Sequence, residues 1–104
     1  MALLNTKIIG CGHYLPKKIL TNEDFKNFID TSDEWIFSRT GIKQRHIAQK
    51  EELTSDLAIR ASQNALDAAK LKADKIDCII IATTTPDETF PSTATKVQNF
   101  FKIK

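Results

Sequence analysis

Apolar positions follow two rhythms along this chain, one that predicts strands and one that predicts helices. Residues 5–13, around Lys7-Ile8-Ile9, read as a strand. Asp77 to Thr83 is an apolar run without alternation, the mark of a parallel strand covered on both faces. Helical spacing appears between them. Thr21 and Asp24 form a capping box opening a helix through about Ile29, with Phe25, Phe28 and Ile29 as its apolar stripe. A second capping box, Thr31 with Glu34, starts a short helix that Gly41 closes, because glycine takes the left-handed C-terminal cap. Lys43 to Ala48 reads as a short strand or extended piece. Thr54 or Ser55 caps the longest helix, to about Leu71, with Leu57, Ala61, Ala65 and Ala68 at helical spacing and small enough to approach a sheet closely. Pro91 suits the first turn of a last helix from Ser92 to about Phe101, with Val97, Phe100 and Phe101 apolar. The order is α/β, without repeats, low-complexity segments or linkers, and predicts one domain over residues 1–104. A continuous apolar strand such as Cys78 to Ala82 needs neighbours at both edges, and an uncovered edge is a template for pairing with another chain. Association with itself or with a second polypeptide is therefore expected.

Composition narrows the function classes. With 41% hydrophobic and 27% charged residues the chain is an ordinary globular sequence, and its net charge of +2 is interspersed rather than gathered into a nucleic-acid-binding stripe. No window is long enough to span a bilayer, and Met1-Ala2-Leu3-Leu4 is too short for a signal-peptide core. Two cysteines without disulfide-like spacing fit free thiols in a reducing compartment, so the cytoplasm is expected.

The candidate chemistry lies on the short central helix. Trp35 and Arg39 stand four apart and share one helix face. Indole offers a broad π surface, and guanidinium both stacks and presents donors matched to phosphate, which together suit a nucleotide-like ligand. The plainer reading is a core tryptophan with an arginine packed over it. Other chemistry finds little support. Cys11 and His13 are two apart in a predicted strand, but nucleophilic catalysis needs a base oriented by a third group, and a cysteine buried in an apolar run is inert. Cys78 sits in a still more apolar run. Two Cys and two His without a C-x-x-C pair lack the spacing of a structural zinc site. Gly10-x-Gly12 has Leu15 where a dinucleotide fingerprint needs its third glycine.

The string Thr31-Ser32-Asp33-Glu34-Trp35-Ile36, then Arg39-Thr40-Gly41-Ile42 and Arg45-His46-Ile47, closely resembles the signature segment of the 3-oxoacyl-[acyl-carrier-protein] synthase III family. Lys7 to Pro16 is similar to that family's opening strand and turn, Asp77 to Thr85 to its next core strand, and Phe90-Pro91-Ser92 to the following loop. The resemblance covers essentially the whole chain and implies the N-terminal part of a thiolase-like fold, an incomplete mixed sheet with helices on its faces. It also implies a transferase that starts fatty-acid synthesis by condensing acyl-coenzyme A with malonyl-acyl carrier protein. Coenzyme A thioester is then a substrate, and no cofactor is permanently bound. By the same resemblance Trp35 stacks on adenine, Arg39 lies by the phosphates, and Thr31 contacts the base, although an N-cap hydroxyl is already engaged by its own helix. Phe90 matches a residue that reaches across a dimer to close the partner's acyl pocket, or is a loop aromatic beside Pro91. His46 matches a position of structural character. Asp87 and Glu88 form a loop pair that most simply is solvated. The family's nucleophilic Cys, and its His and Asn, have no counterpart here, nor does a second adenine-binding arginine. The expected partners are acyl carrier protein, and either a homodimer or a complementary C-terminal part; no nucleic acid and no membrane are expected. Two functions stand at this level: part of a condensing enzyme, or a non-catalytic remnant that folds, associates or weakly binds nucleotides.

Overall fold

The computed structural model describes residues 4–104, and the chain divides into two compact units. One runs from Leu15 to Glu52. The other joins the described residues up to Tyr14 with Leu53–Lys104.

The Leu15–Glu52 unit is built on a two-stranded antiparallel sheet. Strand β1 (Lys18–Thr21) pairs with β2 (Gln44–Ile47) in the register Lys18↔Ile47, Ile19↔His46, Leu20↔Arg45 and Thr21↔Gln44. Strand β2 falls inside the extended piece expected at Lys43 to Ala48. Strand β1 has too few residues to show a period and is absent from the sequence reading. Helix α1 (Asn22–Phe25) opens with the expected capping box: Thr21 N donates to Asp24 Oδ2 at 2.7 Å, and Asp24 N donates to Thr21 Oγ1 at 3.3 Å. It is shorter than expected. Past Phe25 the N–H groups of Lys26, Asn27 and Phe28 reach back three residues rather than four, so the helix tightens into turns. Phe28 and Ile29 of the expected stripe are exposed.

Helix α2 (Asp33–Thr40) corrects a second expectation. Its N-cap is Ser32, whose Oγ accepts from Trp35 N at 3.1 Å, so Thr31 is not the capping residue. Either hydroxyl could have capped by local pattern; the extended backbone at Ser32 decides it. Gly41 closes the helix at φ 69°, donating to Phe37 O at 2.7 Å, as expected of a left-handed cap.

In the other unit, α3 (Thr54–Ala69) and α4 (Thr93–Phe101) pack together around Val97, which is 2% exposed. Helix α4 starts one residue after the expected Ser92, which caps it, and Pro91 lies before that cap. Residues 5–13 run against α3 where side chains vanish on both sides. A Cβ added to Gly10 would stand 2.7 Å from Ala65 O and 2.7 Å from Ala69 Cβ, and one on Gly12 would clash with Ala61 and Ala65 backbone. Small residues on α3 do permit close approach, although Ala68 of the predicted stripe faces solvent and Ala69 takes the contact.

The incompleteness expected of the sheet has a definite form. Neither 5–13 nor 77–83 is a strand: among the described residues no backbone hydrogen bond joins either run to a neighbour. A strand exists only with a ladder partner. The expectation that 77–83 is covered on both faces is also corrected, because Cys78, Ile80 and Ala82 are exposed while Ile79 and Ile81 are half-buried. Cys11 is exposed too, not buried as its apolar run suggested.

Asp87 overturns the reading of a solvated loop pair. Its side chain is almost wholly buried, Oδ1 accepts from Ser55 N at 2.9 Å in the first turn of α3, and Lys96 Nζ lies 3.4 Å from Oδ2. Lys96 lies equally close, 3.4 Å, to Glu88 Oε2, and that carboxylate remains exposed. Burial pushes the Asp87 carboxyl up, but the Ser55 N–H and the Lys96 ammonium outweigh it and hold the carboxyl below the ordinary range. A depressed folded-state value contributes stability above the unfolded value near 3.9 and loses it as pH falls through the folded value. Thermal melts of Asp87→Asn should therefore show a deficit against the unaltered chain at pH 7 that closes below about pH 4. A deficit independent of pH would show that the charge is not what Asp87 contributes.

Candidate functional site

Helix α2 carries the site predicted from the sequence, entirely within the Leu15–Glu52 unit. Ile36 is its buried anchor, which leaves the face one residue earlier to point outward. Trp35 is 56% exposed and so is not a core residue. The Arg39 guanidinium stacks over its indole ring, 4.8 Å from the centroid, as the four-residue spacing allows.

Beside this stack lies an open cavity of about 370 Å³, lined by Ile29, Asp30, Thr31, Ser32 and Trp35. Thr31 and Trp35 are thus brought to one concavity, with Arg39 on the indole. Because Ser32 does the capping, the Thr31 hydroxyl is not spent on the helix; among the described residues it makes no hydrogen bond. That removes the strongest structural objection to a role for Thr31 in contacting a ligand.

What fixes α2 escaped sequence reasoning altogether. Asn22, 1% exposed, donates through Nδ2 to Asp33 Oδ1 at 2.8 Å and to Ile42 O at 2.7 Å, while its Oδ1 accepts from Arg45 Nη1 at 2.8 Å. Its backbone N–H donates to Lys43 O at 3.1 Å. One amide therefore ties the first residue of α2, the segment just after it, and strand β2. No local signal marks Asn22, because its partners are 11, 20 and 23 residues away. His46 keeps the structural character expected of it, its Nδ1 donating to Pro16 O at 2.6 Å.

Phe90 belongs to the other unit, where it is 88% exposed and not buried beside Pro91. Cys11 and Cys78 are exposed free thiols. Among the described residues no group of three or more His, Cys, Asp or Glu could hold a metal ion, and no helix is long and apolar enough to cross a membrane.

A scan against models of protein families gives no match. Whole-chain relatives are nonetheless close. The beta-ketoacyl-[acyl-carrier-protein] synthase III of Rickettsia canadensis is 55% identical over 100 residues, covering 96% of this chain and 32% of that protein. Its counterpart in Wolbachia pipientis wMel is 57% identical over 97 residues, covering 93% of this chain and 30% of the relative. The chain belongs to the beta-ketoacyl-[acyl-carrier-protein] synthase III family. It corresponds to the N-terminal portion of the family's thiolase-like fold and spans about a third of the length of these relatives. The crystal structure of 3-oxoacyl-[acyl-carrier-protein] synthase III from Aquifex aeolicus superposes with a TM-score of 0.87 at 52% identity, over 96% of this chain and 32% of that one. The Thermus thermophilus synthase III gives 0.85 at 45% identity, over 95% of this chain and 31% of the other.

Proposed function

We propose that this chain supplies the adenosine end of a coenzyme A site in a condensing enzyme of fatty-acid synthesis, one that joins the acyl group of acyl-coenzyme A to malonyl-acyl carrier protein. The observation that carries this reading is the exposed Trp35–Arg39 stack beside the cavity lined by Thr31. An exposed indole has no packing reason to keep a guanidinium on its face, and desolvation by an adenine ring would strengthen both stacking and phosphate pairing. In this assignment Trp35 stacks on the base, Arg39 reaches the phosphates, and the uncommitted Thr31 hydroxyl bonds to the base edge. Phe90, exposed in its loop, suits a contact with a second subunit. Two exposed free thiols suit a reducing, cytoplasmic setting.

In this reading the described residues supply no activated nucleophile. Acyl transfer to a thiol needs a base to activate it and a third group to orient that base, and neither Cys11 nor Cys78 has such an arrangement among the hydrogen bonds of the described residues. Incubated with acetyl-coenzyme A at neutral pH, the chain should show no acyl adduct by mass spectrometry; a stable adduct on Cys11 or Cys78 would overturn this assignment. Ligand-observed NMR tests the binding itself. Saturation should pass to the adenine protons of coenzyme A and hardly to its pantetheine methyls. Transfer to neither, or to the pantetheine alone, would sink the adenosine-end reading.

A further inference from the structure

In the stretch that leads into α4, residues 82–92, every residue is exposed but one. The exception is Asp87, whose side chain is 1% exposed. A loop with no apolar side chain in the interior has no packing to define its course, and such segments ordinarily belong to the least stable part of a fold. This one is seated instead on a single buried acid. Ser55 N donates to Asp87 Oδ1 at 2.9 Å from the first turn of α3, and Asp87 N donates to Thr93 Oγ1 at 3.3 Å in the first turn of α4. Ser55 and Thr93 are themselves buried, at 6% and 4% exposed. Oδ2 is buried and accepts no hydrogen bond among the described residues; the Lys96 ammonium of α4 faces it at 3.4 Å. Thr54 Oγ1 adds a bond to Thr85 O at 2.6 Å. We propose that Asp87 is the positioning residue of this loop: its carboxylate, held between the first turns of α3 and α4, fixes the course of residues 84–92 and with it the place of Phe90, which stands 88% exposed three residues on.

Charge rather than outline makes this seat. Asparagine has the shape of aspartate and still accepts from Ser55 N, but it turns an amide donor toward the Lys96 ammonium, where the carboxylate turns an acceptor. Protonation of Asp87 weakens the same contact. The other charged groups nearby do not substitute for it: Glu88, 3.4 Å from Lys96 Nζ, is exposed, and Asp56 of α3 accepts from Leu53 N at 2.9 Å. Because the Ser55 N–H and Lys96 hold the Asp87 carboxyl below the ordinary range, the seat is complete above the unfolded value near 3.9 and is lost as pH falls through the folded value. Where Phe90 meets a second subunit, as proposed above, Asp87 sets the geometry of that contact. The placement of the loop does not itself rest on that reading.

Nitrogen-15 relaxation of the full chain at pH 7 reads the loop residue by residue, an order parameter of about 0.85 marking rigid backbone and one below about 0.6 a mobile one. In the unaltered chain Asp87 to Phe90 should stand near the rigid value. Asp87→Asn, and separately Lys96→Met, should drop them below about 0.6 while Val97 to Phe101 of α4 stays rigid. Glu88→Gln should change nothing, since Glu88 is the exposed partner of the same lysine. In the unaltered chain the loop alone should loosen as pH falls below about 3.9, whereas in Asp87→Asn it should be loose at every pH. A loop already mobile in the unaltered chain, or still rigid in either variant, would overturn the inference. Loosening of α4 together with the loop would overturn it too, by making Asp87 a general support of the unit. An equal loss in Glu88→Gln would do the same, by showing that the exposed pairing of Lys96 holds the loop.

Discussion

Coenzyme A should quench the emission of this chain weakly, with half-saturation in the high micromolar to millimolar range, about −4 to −6 kcal/mol, and less quenching as salt rises. The signal has one source, since Trp35 is the only tryptophan. The shallow, open cavity beside it and the exposed Arg39 stack explain why affinity stays low: stacking on an exposed ring contributes about 0.5–1 kcal/mol, and solvent competes for the phosphates. Two variants separate the contributions. Arg39→Ala should weaken coenzyme A roughly tenfold, the loss of a charge-assisted contact of about 1.5 kcal/mol, while leaving adenosine within about twofold. Trp35→Leu should weaken both ligands together and, because the indole is exposed, should barely move the melting temperature. If coenzyme A leaves the emission untouched and Trp35→Leu instead lowers the melting temperature, the helix face is structural and the proposed site is wrong.

Loss of Asn22 should be the most damaging single change in the unit that carries α2. Asn22→Ala strands the Ile42 carbonyl, the Asp33 carboxylate and the Arg45 guanidinium in surroundings where Asn22 itself is 1% exposed. Unsatisfied buried groups cost about 1–3 kcal/mol each, partly relieved by water, so a net loss of about 2–4 kcal/mol and a fall of roughly 10–20 °C in the melting temperature are expected. Asn22→Asp probes the cause. It keeps the acceptor for Arg45 but sets a carboxylate against Asp33, so it should be worse at pH 7 than at pH 4, where protonation restores a donor. Circular-dichroism melts across that range decide the matter. Equal deficits of Asn22→Asp at both pH values would show that the charge set against Asp33 is not the cause. Trp35 quenching by coenzyme A should fall in both variants even where the fold survives, because α2 is positioned through this amide.

Local order in this chain was legible because its causes are local. The Thr21–Asp24 box, the Gly41 cap, the period of α3 and α4, and the shared face of Trp35 and Arg39 all depend on partners three or four residues apart. A sequence states such spacings directly. The pairing of Ser32 rather than Thr31 with the first turn of α2 sits at the limit of that reach, since adjacent hydroxyls offer the same chemistry and the backbone angle selects between them.

Partners distant in sequence were decided only by the tertiary structure. Nothing near Asn22 announces Asp33, Ile42 and Arg45, and nothing near Asp87 announces the N-terminus of α3, 32 residues earlier. Exposure behaves in the same way: an apolar run states that it prefers burial, but whether Cys78 and Ile80 are covered depends on which chain lies beside them. The sequence thus determined the family, the helices and the residues of the candidate site. The fold alone determined that Trp35 is exposed, that Asn22 ties its helix to strand β2, and that two strand-like runs remain without a ladder among the described residues, because burial and hydrogen-bond partners at long range are properties of packing and not of any local window.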